Sequence, residues 1–390
     1  LSEISGGPNV LLVGAYERDN FGDLLFFQLT REYLSDFRVT AGSIIGADMT
    51  GLLGTMVHPH NSLLARERWD AIWVVGGEVG GVSAENALTM SLNDSEGGVF
   101  DRVSAIGRDA ILSFLADSSA IAPAYFPQLS RFSLNRDTPL IINSVGLATM
   151  QPQGASDSDD LAISALRGAT ALHVRDPASA AFAADAGLKA TLGPDMVHAI
   201  SILHPELGNG SDPEKDPYFL FQANANLIGA YGAEAIAQSL VDISETTGWR
   251  PVLFLAGVAR HHDRSDQYDE VIRAIHQTAP SLHAMVISTR NPLELAGWIA
   301  RSQLWIGSSL HGRIIAGSFA KPRVSLENRK VETYASKWDV EFPTKVGISS
   351  MTDSVSVAIS KAQIDQNVRD SVQLSHIAHD ATQNLVRTFL

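Results

Sequence analysis

Short, unbroken apolar runs recur along the whole chain, and they restrict its fold more than any other feature. Val10-Leu11-Leu12-Val13, Ala71-Ile72-Trp73-Val74-Val75, Leu140-Ile141-Ile142 and Ala171-Leu172-His173-Val174 make one series. Tyr218-Phe219-Leu220-Phe221, Val252-Leu253-Phe254-Leu255, Met285-Val286-Ile287 and Leu304-Trp305-Ile306 continue it. A strand with one wet face alternates apolar and polar side chains. A strand covered on both faces does not alternate, and that is the condition of a parallel sheet sandwiched between helices. Helix-length amphipathic stretches separate the runs. Asp176-Pro177 predicts an N-cap followed by proline at the first helical position, and Gly187 a stop for that helix. Strand and helix repeated in this order are the pattern of doubly wound βαβ units.

At 390 residues the chain has room for two such lobes. Hydrophobic residues make up 45% and charged residues 18%, enough for large cores and unlike a disordered chain. A break is expected between His204 and Asp216, where Gly208-Asn209-Gly210-Ser211-Asp212-Pro213 is polar and turn-rich. It separates an N-terminal lobe, 1–205, from a C-terminal lobe, 206–390. The stretch from Ser91 to Gly98 lacks a period and reads as an exposed loop. Asp353 to Phe389 reads as helical, able to pack back across either lobe.

The formal net charge of −14 argues against nucleic acid as a partner, because neutralising phosphates requires a basic surface. An anionic small molecule is still allowed if a few cations share one cleft. Without cysteine there is no disulfide, thiolate nucleophile or cysteine-ligated zinc. No apolar run approaches the roughly 20 residues that span a bilayer, and Leu1 to Asn9 has neither the charged nor the apolar region of a signal peptide. A cytoplasmic protein is the expectation, and a homo-oligomer is compatible with it.

Four turns that follow apolar runs hold candidate site residues, as expected at the C-terminal ends of strands in an open α/β sheet. Gly14 to Asp23 leads into a helix that Asn20 or Asp23 can cap, and the helix amides after Gly22 can hold an anion. Neither a Walker A loop nor a dinucleotide fingerprint is present, since neither glycine spacing is met. Val75-Gly76-Gly77-Glu78-Val79-Gly80-Gly81 permits close approach of a ligand to backbone, with Glu78 an acid or base candidate or a solvated loop residue. In Val174-Arg175-Asp176 the aspartate reads as a helix cap, while Arg175 offers a planar fork to carboxylate or phosphate.

The fourth turn is Gly307-Ser308-Ser309-Leu310-His311-Gly312-Arg313. Ser308 or Ser309 caps a helix whose first turn presents His311 and Arg313, a combination suited to a phosphorylated or carboxylated ligand. The helix dipole disfavours imidazolium there, so a bound anion would be needed to hold His311 protonated. Lys330, in Glu327-Asn328-Arg329-Lys330-Val331, is a candidate to close the same cleft. His261-His262-Asp263 reads as a loop, because adjacent histidines point apart and no third metal ligand is suitably spaced.

Taken in order, these motifs resemble the polysaccharide pyruvyl transferase family. The likeness runs from the Gly14 to Asp23 loop through Gly76-Gly77, Val174-Arg175-Asp176 with Ser179, and Gly193-Pro194-Asp195 to Ser308-Ser309-Leu310-His311. It continues through Ala316-Gly317, Lys321-Pro322 and Lys330-Val331. The resemblance implies a two-lobed fold similar to GT-B glycosyltransferases and transfer of pyruvate from phosphoenolpyruvate to a sugar as a ketal. It implies no cofactor and no metal, with a sugar or glycan acceptor that is lipid- or nucleotide-linked. Family members commonly carry Arg immediately before Leu-His, where this chain has Ser309, and Arg313 is the candidate to replace that cation. Arg175, Arg313 and Lys330 are then the expected anion anchors, His311 the acid or phosphate ligand, and Asp23 or Glu78 the base toward the sugar. Two rival readings use the same residues: a GT-B-type glycosyltransferase gripping a nucleotide sugar, and a non-catalytic relative that binds a glycan or anion.

Overall fold

The structure, a computed structural model, describes residues 7–209, 217–260 and 262–390. They form two compact units, Leu1–Met196 with Asp380–Leu390, and Val197–His379. The first unit holds β1 (Asn9–Val13), β2 (Arg38–Ser43), β3 (Ala47–Met49), β4 (Thr55–Pro59), β5 (Ala71–Val75), β6 (Leu140–Val145), β7 (Ala171–Val174) and β8 (Thr191–Leu192). The second holds β9 (Tyr218–Gln222), β10 (Arg250–Leu253), β11 (Met285–Val286), β12 (Leu304–Gly307) and β13 (Arg323–Ser325).

The first sheet runs β3-β4-β2-β1-β5-β6-β7-β8 and is parallel except at its β3–β4 edge. The second runs β11-β10-β9-β12-β13, parallel throughout. The apolar runs lie where their pattern demands. Leu11 and Leu12 of β1 sit between β2 and β5, and Leu220 of β9 between Val252 and Trp305, all fully buried. Each such side chain contributes roughly 1.5–3 kcal/mol by leaving water. Each unit therefore has its own core, and both are Rossmann-like.

Local capping follows the predicted signals at several points. Asn20 accepts from the Gly22 amide at the head of the Phe21–Tyr33 helix, and Asp176 accepts from Ser179 at the head of Pro177–Asp185. Gly187 beyond that helix has a φ of 68°.

Two expectations need correction. The stretch read as a loop from Ser91 to Gly98 is largely a helix, Asp94–Phe100, closed by a capping box in which Asn93 and Glu96 satisfy each other's amides. The break between units falls at Met196/Val197 rather than near residue 205. The reason is packing: the short helices Ile200–Leu203 and Pro205–Gly208 lie against the Pro292–Arg301 and Leu310–Ser318 helices, and Arg301 donates to the Leu207 carbonyl. Most of the turn-rich segment, 210–216, is outside the described residues. The terminal stretch forms two helices, Met351–Ala362 and Asp365–Phe389. Among the described residues no helix is long and apolar enough to cross a membrane.

Candidate functional site

Where successive strands are laid down on opposite sides of a starting strand, the loops beyond their C-terminal ends part and leave a crevice. In the first unit this switch lies between β1 and β5. The Asn20 cap and buried Asp23 stand there, and a β-carbon on Gly77 would come within 3.0 Å of the Asp23 Oδ1. Gly76 has a φ of 87°, and Phe26 fills the space that a side chain on it would need, so only glycine fits. Asn20, Gly22, Asp23, Gly76 and Gly77 are thus gathered at one place.

Four residues that the motifs did not single out, Glu17, Arg18, Ser43 and Tyr125, complete this cluster. Arg18 contacts the Glu17 carboxylate, the Tyr125 hydroxyl at 2.6 Å and Asp23 at 3.5 Å. Tyr125 donates to Glu17 Oε1 at 2.7 Å, and the Ser43 hydroxyl donates to Glu17 Oε2. Burial opposes the charge on Arg18, yet Tyr125, Glu17 and Asp23 outweigh it and keep the guanidinium protonated. The only hint of this cluster in the sequence was a pair of adjacent charges, Glu17-Arg18, straight after a buried strand.

Glu78 and Arg175 serve each other instead. Arg175 Nη1 lies 3.1 Å from Asp195 and Nη2 3.3 Å from Glu78, while the other Glu78 oxygen accepts from the Thr149 amide and hydroxyl. Where a base and an anion anchor were expected, Glu78 and Arg175 are thus engaged with each other, with Asp195 and with Thr149. The guanidinium is almost fully buried, and taking it away would leave two carboxylates without their shared counter-ion.

In the second unit the switch lies between β9 and β12, and the Ser308–Arg313 turn stands on it. Ser309, not Ser308, caps the Leu310–Ser318 helix by accepting from the Gly312 amide at 3.3 Å. Ser308 faces inward, its amide and hydroxyl 3.0 and 3.2 Å from Gln222 Oε1, which also accepts from the Ser309 amide at 2.8 Å. His311 is buried in the first turn. Asn328 ties in the next segment: its Nδ2 donates to the Ser308 carbonyl at 2.8 Å, and its Oδ1 accepts from the Lys330 amide at 3.1 Å. Ser308, Ser309 and the backbone of Lys330 are so brought together, beside the helix turn that carries His311, with the Lys330 side chain exposed.

Arg313 does not join them. Nε donates to Asp339, Nη1 to Ser325 and the Pro343 carbonyl, and Nη2 to the carbonyls of Asp339 and Phe342. A guanidinium has five N–H donors, and all are used inside the unit. Arg323 shares Asp339, and the two cations hold its carboxyl below the usual range although burial alone would raise it. The expected replacement for an arginine at Ser309 is therefore a structural brace. His261 lies outside the described residues, and among the described ones no cluster of metal ligands occurs. Asp263 is buried, and burial pushes its carboxyl up to about 7 against the pull of hydrogen bonds from Ala256 and Gln222.

Residues 20–330 match the sequence model of the family described as polysaccharide pyruvyl transferase. No curated protein matches the chain. Among solved structures, the chain is similar to UDP-GlcNAc 2-epimerase of Methanocaldococcus jannaschii in complex with UDP-GlcNAc and UDP. That match has 9% identity and a TM-score of 0.55, and covers 96% of this chain and 99% of the other. A putative UDP-N-acetylglucosamine 2-epimerase of Listeria monocytogenes matches at 10% identity and a TM-score of 0.57, covering 96% and 95%. At such identities the likeness is one of fold, which is GT-B-like.

Proposed function

The chain belongs to the polysaccharide pyruvyl transferase family, an enzyme that transfers pyruvate onto polysaccharide, and we propose that its donor is phosphoenolpyruvate and its product a ketal on a lipid- or nucleotide-linked sugar. The observation that carries this reading is the turn at the β9–β12 switch. A serine-capped helix N-terminus, a buried histidine in its first turn and a lysine at the head of the neighbouring helix suit a small molecule bearing both phosphate and carboxylate. With Arg175 and Arg313 committed elsewhere, Lys330 and the helix N-terminus supply the positive potential.

The chemistry follows from the donor. The methylene carbon takes a proton while a sugar hydroxyl attacks the neighbouring carbon. The C–O bond to phosphate then breaks, the second hydroxyl closes the ring, and both hydroxyl protons are released. His311 acts as the acid or holds the departing phosphate. A general base accepts a proton from the sugar.

Incubation with phosphoenolpyruvate and a panel of lipid-linked and nucleotide-linked sugars, followed by phosphate release, tests the proposal. Release is expected with at least one acceptor, falling by about 10²–10⁴ in His311→Ala. Absence of both release and a thermal shift with phosphoenolpyruvate would sink it.

A further inference from the structure

The Ser308–Ser309 turn is held by a glutamine whose own orientation is set from behind. Gln222 ends β9 and presents Oε1 to three donors, the Ser308 amide and hydroxyl and the Ser309 amide. Its Nε2 donates to both oxygens of Asp263, at 3.0 and 3.1 Å. A side-chain amide can rotate by half a turn and exchange its oxygen and nitrogen. Rotated, Gln222 would set an NH₂ against two backbone N–H groups and leave its oxygen facing Asp263. Once ionised, above about pH 7, the Asp263 carboxylate only accepts, so it admits the NH₂ alone and selects the first orientation.

Asp263 is itself gripped. Oδ2 accepts from the Ala256 amide at 2.7 Å, and the Asp263 amide donates to the Gly257 carbonyl. The Tyr268 hydroxyl bridges the Ala223 and Phe254 carbonyls, and Arg290 donates to the Leu255 carbonyl at 2.6 Å, so the loops that flank the carboxylate are tied down on each side. Neither Gln222 nor Asp263 carries a group that the ketal chemistry uses.

We infer that Asp263 is a positioning residue for the donor turn, acting through Gln222, whose oxygen it aims at the amides of Ser308 and Ser309. The inference rests on the donor reading of that turn. Held in this way, Ser309 keeps the backbone conformation that caps the helix, and His311 keeps its place in the first turn. The amides of Ser308 and Ser309 are committed to Gln222, so the donor meets the turn beyond them.

The polarity of the Gln222–Asp263 bond supplies the test. Asp263→Asn sets an NH₂ among groups that only donate, against either Gln222 or the Ala256 amide. Gln222→Glu opposes two carboxylates. The swap Gln222→Glu with Asp263→Asn reverses the bond and again offers an acceptor to Ser308 and Ser309. Hydrogen exchange at those two amides and calorimetric titration with phosphoenolpyruvate are measured for all four proteins.

Each single variant is expected to speed exchange at both amides and to weaken phosphoenolpyruvate binding by about tenfold. The swap should bring both back to within about threefold of the parent. Unchanged exchange in the single variants, a swap no better than the worse single, or an affinity that stays constant while exchange varies would each overturn the inference. If the single variants fail to fold, the swap decides alone: it must fold with parental exchange at both amides. Exchange that follows the pattern in a parent that does not bind phosphoenolpyruvate would overturn the donor reading while supporting the hold of Asp263 on the turn.

Discussion

Arg313 and His311 are two residues apart on one helix, and nothing local distinguishes a guanidinium that meets a ligand from one that braces the core. Asp339, 26 residues further on, and the carbonyls around it make the difference. Arg313→Ala should therefore destabilise the second unit by about 3–5 kcal/mol in urea titrations, because it leaves Asp339 with Arg323 alone and takes the donors from the buried carbonyls of Asp339 and Phe342. Arg313→Lys should recover little of that, since an ammonium cannot span five acceptors. Asp263 makes a second prediction, with its sign set by linkage. Its folded pKa is raised to about 7, chiefly by burial, from the ordinary 3.8. The native state therefore holds the proton more tightly, and stability falls as pH rises from about 4 to about 7 before levelling off. Three pKa units correspond to about 4 kcal/mol at most. Asp263→Asn should flatten that part of the stability–pH curve, measured by denaturant midpoints at a series of pH values. An unchanged slope would mean that the carboxylate is not the titrating group.

At the scale of elements, the Ser308–Arg313 turn depends on how closely β12 and the Leu310–Ser318 helix approach. A β-carbon on Gly312 would overlap the buried Trp305 indole. Gly312→Ala should cost about 1–3 kcal/mol through overpacking and weaken phosphoenolpyruvate binding, whereas a substitution at Gly193, with open space around it, would have no such clash. The Asp94–Phe100 helix shows the limit of pattern reading. Asn93 and Glu96 have the spacing of a capping box, but Gly97-Gly98 disfavours helix, and seven residues are too few to display a period. Asn93→Ala should cost that segment about 1 kcal/mol, seen as faster amide exchange there. Helix starts at Asn20 and Asp176 were legible because a cap is a local hydrogen bond. The short edge strands β3 and β8 were not, since two or three partly covered residues leave no continuous run.

At the scale of the whole molecule, each unit encloses its own core, and the chain's last residues belong to the first. Thr382 accepts from Asn143 of β6, and Leu385 is buried. Truncation after His379 should therefore accelerate exchange in β5 and β6 and leave β9 and β12 at their parental rates. The apolar runs determined which segments become central parallel strands, because burial on both faces is written into every position of such a strand. They also determined that the glycine- and serine-bearing turns, including Ser308–Arg313, would follow the C-terminal ends of β1, β5 and β12. Only the tertiary structure decided which side chains in those loops are taken up by partners inside the fold. A buried charge must find partners, and those of Arg175, Glu78 and Arg313 come from segments far along the chain, whose arrival no local pattern records.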